Sequence, residues 1–120
     1  MSSGTPTKEE TLAWADQQIR IDTARLALDP AEQIAWLKQI DTYPLLDELA
    51  LEFTFSYELC DQLVDAGRMS PEIYAELGRI DALLDDLSNG TEENWLPEAL
   101  ESDPRWAKVR EIAREVAPCL

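Results

Sequence analysis

The sequence predicts an all-α protein, a compact bundle of five to six short helices in a single domain spanning residues 1–120. Three observations lead there. Leu, Ala, Glu and Asp dominate while β-branched residues are few, a balance that favours helices over sheets. Apolar residues recur three and four apart through most of the chain, and several prolines directly follow a residue able to cap a helix. At 120 residues, 45% of them hydrophobic, the chain is large and apolar enough to bury a core without disulfides or metal.

Residues 1–6 read as a flexible N-terminus. Thr7 and Glu10 then form a capping box, the hydroxyl accepting an orphan amide while the carboxylate reaches back. The helix that follows runs to about residue 28. Leu12, Ala15, Ile19 and Leu26 make its apolar row and Trp14, Ile21 and Leu28 an adjoining one, so a wide buried stripe is expected. Asp29 and Pro30 restart the chain, Asp as a side-chain cap and Pro at the first helical position, and residues 30–40 bury Ile34, Leu37 and Trp36.

Tyr43-Pro44 interrupts, because a residue before proline is pushed out of the α region. Residues 45–66 keep helical phase through Leu46, Leu49, Phe53, Cys60, Leu63 and Val64, with a break expected near Thr54 among poorer helix formers. Gly67 supplies a left-handed end, and Ser70-Pro71 caps a fourth helix carrying Ile73, Leu77, Ile80, Leu84 and Leu87. Asn89-Gly90 is expected to end it by the same left-handed turn. Residues 91–103 read as a loop with one helical turn near Pro97. Asp103-Pro104 starts a last helix that turns Trp106, Val109, Ile112, Ala113 and Val116 inward until Pro118 stops it.

Charge sets the functional classes. Twenty-five acidic residues against ten basic ones, with no His, leave −15 at neutral pH, a sign that repels phosphate backbones and anionic membrane surfaces. Neither nucleic acid nor membrane is therefore an expected partner. No apolar run approaches the length of a spanning helix, and the first residues lack the basic and apolar regions of a signal peptide, so a cytoplasmic protein is expected. Cys60 and Cys119 stand in no metal or redox spacing and read as free thiols.

Without His, the usual nucleophilic triads and the Glu-x-x-His set of di-iron bundles cannot be built, and no Cys cluster suits zinc. Residues 85–90 glance at a calcium loop, but Leu87 and Leu96 stand where oxygen ligands are needed. Phosphate loops need glycines this chain lacks. The expectation is a protein without cofactor, metal or enzymatic activity.

The charge is also segregated. Residues 41–103 hold seventeen acids and only two bases, Arg68 and Arg79, whereas Arg105, Lys108, Arg110 and Arg114 make the last helix basic, which suits the negative end of a helix or an acidic neighbour. Glu58, Asp61 and Asp65 form an outward row on the third helix; Glu72, Glu76, Asp85 and Asp86 avoid the apolar row of the fourth. Like charges at this spacing weaken a helix by a few tenths of a kcal/mol per pair, so the arrangement suggests a basic partner, with solubility as the alternative. Trp14, Trp36 and Trp106 read as core. Trp95, in an acidic loop, either packs over the end of the bundle or anchors a partner, and Tyr57 and Tyr74 flank the Glu58 and Glu72 rows, where they either join a contact surface or bury their edges.

The run Leu46-Asp47-Glu48-Leu49-Ala50-Leu51-Glu52-Phe53, the Asp65-Ala66-Gly67 turn into Ser70-Pro71-Glu72, and the ending Trp95-Leu96-Pro97-Glu98-Ala99-Leu100 with Pro104-Arg105-Trp106 resemble small acidic helical immunity proteins of bacterial toxin systems. The likeness covers residues 45–116 and is one of pattern. It implies a stoichiometric inhibitor that binds a cognate toxin, a basic nuclease among the candidates, and blocks its active site or a neighbouring exosite. The expected contact residues are Glu58, Asp61, Asp65, Glu72, Tyr74, Glu76, Asp85, Asp86 and Trp95. The alternative is a nucleic-acid mimic that occupies a DNA- or RNA-binding protein of the anti-restriction or anti-CRISPR type.

Overall fold

A computed structural model describes Gly4 and residues 7–120; apart from Gly4, the expected flexible N-terminus lies outside the described residues. The chain is all-α, with no strand among the described residues. Five helices have ten residues or more: α1 (Lys8–Leu26), α2 (Pro30–Gln39), α3 (Asp47–Tyr57), α5 (Pro71–Ser88) and α7 (Pro104–Val116). Two have six, α4 (Cys60–Asp65) and α6 (Pro97–Ser102). The segment expected to be a loop is thus better ordered than its composition suggests: a 3₁₀ turn at Glu92–Trp95 precedes α6.

Caps follow the local chemistry. Thr7 accepts the Glu10 amide at 3.0 Å, Ser70 accepts that of Ile73 at 3.2 Å, and Asp103 accepts that of Arg105 at 2.8 Å. Asp29 departs from expectation. Its side chain caps nothing, because Arg114 of α7 holds the carboxylate at 2.6 Å. Two helices end in the same left-handed motif: Gly67 after α4 has φ 73°, and Asp41 after α2 has φ 63°. In both, the following amide bonds back into the last turn, Arg68 to the Leu63 carbonyl and Thr42 to that of Leu37. Asn89-Gly90 does not use it. There Asn94 donates to the Leu87 carbonyl at 3.0 Å, and a Cβ on Gly90 would displace that amide, so the glycine leaves room for the Asn94 bond and not for a left-handed φ.

α1 packs against α3, α4 and α7, and α7 lies along α5 with α6 at its side. The core contains Leu12, Ile19 and Leu26 of α1, Leu49 and Phe53 of α3, Leu77, Ile80 and Leu87 of α5, and Trp106 and Ile112 of α7. The second row expected on α1 is not in it. Trp14 is 49% exposed and Ile21 is also exposed, because α3 and α4 cover only the Ala15 and Ile19 side of the helix. Trp36 is half-buried and carries the Arg25 guanidinium over its ring at 3.9 Å. Cys60 is buried and Cys119 exposed, both as free thiols.

The break expected near Thr54 occurs at Glu58 and Leu59, and its cause is tertiary. Ser56 is fully buried and bonds back to the Phe53 carbonyl at 3.1 Å, a contact that bends helices. Its single hydroxyl proton is shared between that carbonyl and the Asp22 carboxylate of α1, which lies 2.9 Å away. Asp22 is 1% exposed and also accepts from Gln18 and Arg25. Burial raises its pKa, and the bonds from Ser56, Gln18 and Arg25 oppose the rise.

α7 uses its arginines inside the fold. Arg110 donates to the carbonyls of Leu28 at 3.2 Å and Leu100 at 2.9 Å, and Arg114 to that of Ala27 at 2.8 Å. These are the free carbonyls where α1 and α6 end, so the guanidinium groups satisfy orphan acceptors and meet the negative ends of two dipoles. Arg105 joins Asp103, Asp86 and Asn94 at 2.8, 3.0 and 3.2 Å. Replacing Arg110 by Met keeps most of the stem but strands both carbonyls. This is expected to lower stability by about 1–2 kcal/mol in urea unfolding. Lys108→Met, whose amine meets only exposed Glu111, is expected to stay within about 0.5 kcal/mol.

Candidate functional site: an acidic groove with an aromatic floor

Between α3, the start of α4, α5 and the Glu92–Trp95 turn runs an open groove of about 610 Å³. α5 contributes Tyr74, Asp81, Asp85 and Ser88, which fall on one helical row. α3 contributes Asp47, Leu51 and Thr54, again one row, and the chain continues through Glu58 to Asp61 of α4. Trp95 closes one end.

Aromatic rings form the floor. Phe53, Tyr57 and Tyr74 stack in succession, with centroid separations of 5.8 and 5.4 Å. Gly78 makes room for the stack: a Cβ there would stand 3.0 Å from the Tyr57 hydroxyl oxygen. A glycine inside a helix gives up about 1 kcal/mol against alanine, and here the tyrosine occupies the space so gained. Burial, with Tyr74 alongside, pushes the Tyr57 phenol up to about 12. Trp95 meets Trp106 edge-on at 5.6 Å, and its carbonyl accepts the Leu46 amide at 3.0 Å. The tryptophan packs over the end of the bundle, one of the two roles open to it in the sequence, and its remaining surface lines the groove.

Five carboxylates surround this floor: Asp47, Glu58, Asp61, Asp81 and Asp85. None of them pairs with a Lys or Arg among the described residues. The seven arginines are all engaged elsewhere, Arg20 with Asp16, Arg25 with Asp22, Arg68 with Glu9, Arg79 with Glu76, and the three of α7 as described. Asp81 is half-buried, and its carboxyl lies above the usual range because burial, then Asp85 and Glu58, disfavour its charge. Asp85 in the last turn of α5, where no base stands, also opposes the helix dipole. No group of three or more Asp, Glu or Cys side chains among the described residues is arranged to hold a metal ion. The arrangement suits a cationic surface.

Of the nine residues singled out in the sequence, Glu58, Asp61, Tyr74, Asp85 and Trp95 meet in the groove. Four lie elsewhere. Glu72 and Glu76 stand two residues to either side of Tyr74, about 200° around the helix, and Glu76 pairs with Arg79 at 2.9 Å. Asp86 turns toward α7, where Arg105 holds it, and Asp65 is exposed as the last residue of α4. Sequence reasoning placed Tyr57 beside Tyr74 at the acidic rows but passed over Asp47, Gly78 and Asp81. The spacing of Asp81, seven after Tyr74 and four before Asp85, was a signal available for it.

No helix of the described residues is long and apolar enough to cross a membrane. Comparison with known protein families, curated proteins and solved structures finds no match.

Two outcomes follow from this geometry. The folded chain keeps a proton on Asp81 where the unfolded chain has released it, in the window from 3.8 up to the raised value. Stability from this group therefore falls as pH rises through that window and stays low at neutral pH. Asp81→Asn is expected to raise stability by about 0.5 kcal/mol near pH 7 and not near pH 3, read by urea unfolding. For the floor, Gly78→Ala is expected to cost about 1 kcal/mol in the native chain but to stabilise by up to about 1 kcal/mol once Tyr57→Phe has removed the hydroxyl. A double-mutant cycle with no coupling would contradict the close contact.

Proposed function

We propose that this chain is an immunity or antitoxin protein, a cytoplasmic inhibitor without enzymatic activity that binds and neutralises a basic bacterial toxin, such as a nuclease, through its acidic groove. The observation that carries this is the set of five carboxylates with no Lys or Arg partner among the described residues, gathered around an aromatic floor in a molecule whose arginines are all engaged elsewhere. Such a groove costs the fold stability through self-repulsion and attracts a surface rich in Lys and Arg. An enzyme that acts on nucleic acid needs such a surface to hold phosphates, and carboxylates that engage the same cations exclude the substrate. Trp95 and Tyr74 add apolar contact of the kind that dominates interface energetics.

The same net charge also fits a nucleic-acid mimic. A mimic needs carboxylates spaced like phosphates along an extended surface, whereas here they gather around Tyr74 and Trp95, which favours an inhibitor of one protein.

The test begins with affinity capture from the native host, followed by co-expression of the captured protein with and without this chain. Protection from its toxicity is the expected result. For the purified pair, Asp61→Lys with Asp85→Lys is expected to slow association about tenfold or more and to flatten its salt dependence. Asp65→Lys with Glu72→Lys changes the net charge equally but lies outside the groove, so a clearly smaller effect is expected. Equal effects from the two pairs would remove the groove from the proposal, and no effect from either would remove the electrostatics altogether.

A further inference from the structure

The outer side of α3 is left uncovered by the rest of the bundle. Phe55 is 68% exposed and Leu51, one turn earlier, 50%, while Leu45 just before the helix is 51% exposed. The opposite side of the same helix, with Leu49, Phe53 and Ser56, is buried against the rest of the bundle. Single exposed apolar residues are ordinary, but three on one ridge form a patch. Its setting gives it chemistry. Leu51 lines the acidic groove and also a second hollow of about 390 Å³ bounded by Asp41, Leu45, Asp47 and Glu48. The apolar ridge therefore separates two acidic hollows.

We infer that this ridge seats a basic amphipathic helix of the partner, whose apolar stripe covers Leu45, Leu51 and Phe55 while its flanking Lys and Arg side chains reach Glu58 and Asp61 on one side and Asp41 and Glu48 on the other. The inference rests on the reading of the chain as a binder of a basic protein and specifies which element of that protein docks. Charge complementarity commits the occupant. A second copy of this chain would bring its own carboxylates against these, and an anionic lipid surface would be repelled. A strand has no sheet edge to join, since the α3 backbone is satisfied within its own helix, so recognition falls to side chains. A ridge between two hollows is also the relief into which helix side chains interlock. The eleven residues of α3 extend roughly 16 Å, enough for about three turns of a partner helix.

The probe is a synthetic helix of about 18 residues made of Leu, Lys and Arg, with the leucines at i, i+3, i+4 and i+7, and a permuted peptide of the same composition without a stripe. The native chain is expected to bind the striped peptide about tenfold more tightly than the permuted one, read by calorimetry at moderate salt. Leu51→Ser with Phe55→Ser is expected to abolish that preference and leave the permuted peptide unchanged, with far-UV circular dichroism verifying the fold. Persistence of the preference in this variant overturns the ridge inference but leaves the acidic groove intact. Binding of both peptides unaltered by Glu58→Gln with Asp61→Asn would instead overturn the reading of the groove. A dimer in sedimentation that the Ser pair dissolves would assign the ridge to a second copy and likewise overturn the inference.

Discussion

Three guanidinium groups on α7 decide where charge can reside in this molecule. Arg110 and Arg114 turn to the carbonyls that end α1 and α6, and Arg105 ties Asp103 and Asp86 together beside Asn94. A planar, permanently charged fork suits this use, because it meets two acceptors in fixed geometry and stays charged when part-buried. Each contact fastens α7 to a neighbour, so the arginines act as the joints of the bundle as well as its counterions. With α7 committed in this way, Arg20, Arg25 and Arg79 paired along their own helices and Arg68 paired with Glu9 of α1, the carboxylates between α3 and α5 have no arginine left to them.

The groove follows from that shortage. Folding by itself favours neither a row of carboxylates facing a second row nor an acid at the C-terminal end of α5, and Asp81, raised by its burial and then by Asp85 and Glu58, feels both the burial and the repulsion. The floor beneath is built with the opposite care. Tyr57 lies between two stacked rings, Gly78 stands aside for its hydroxyl, and Trp95 is braced against Trp106 and hydrogen-bonded through its backbone. Poor electrostatics on a well-packed base are what a surface shaped by an external partner would show.

Much of the fold was legible because it depends on neighbours within a turn. The caps at Thr7, Ser70 and Asp103, the left-handed Gly67 and the inward row of α7 all follow from spacings of two to four residues. The failures share a cause. Asp29 lost its capping role to an arginine eighty-five residues away, Ser56 moved the helix break by answering Asp22 across the core, and Trp14 stayed outside because no element covers its side of α1. Gly90 ended a helix as anticipated, but by yielding space to Asn94 and not by its own torsion.

For the site, the sequence by itself determined the sign of the charge, the stretch of chain that carries it and the rows on which single helices place it, since helical geometry converts spacing directly into direction. It did not determine which acids would face one another. Asp81 entered the groove, Asp86 was neutralised and Glu76 was turned away only once α5 had settled between α3 and α7. Rotation of a helix about its axis is set by the partners on either side of it, and Coulomb interactions act over a few ångströms of space whatever the separation along the chain.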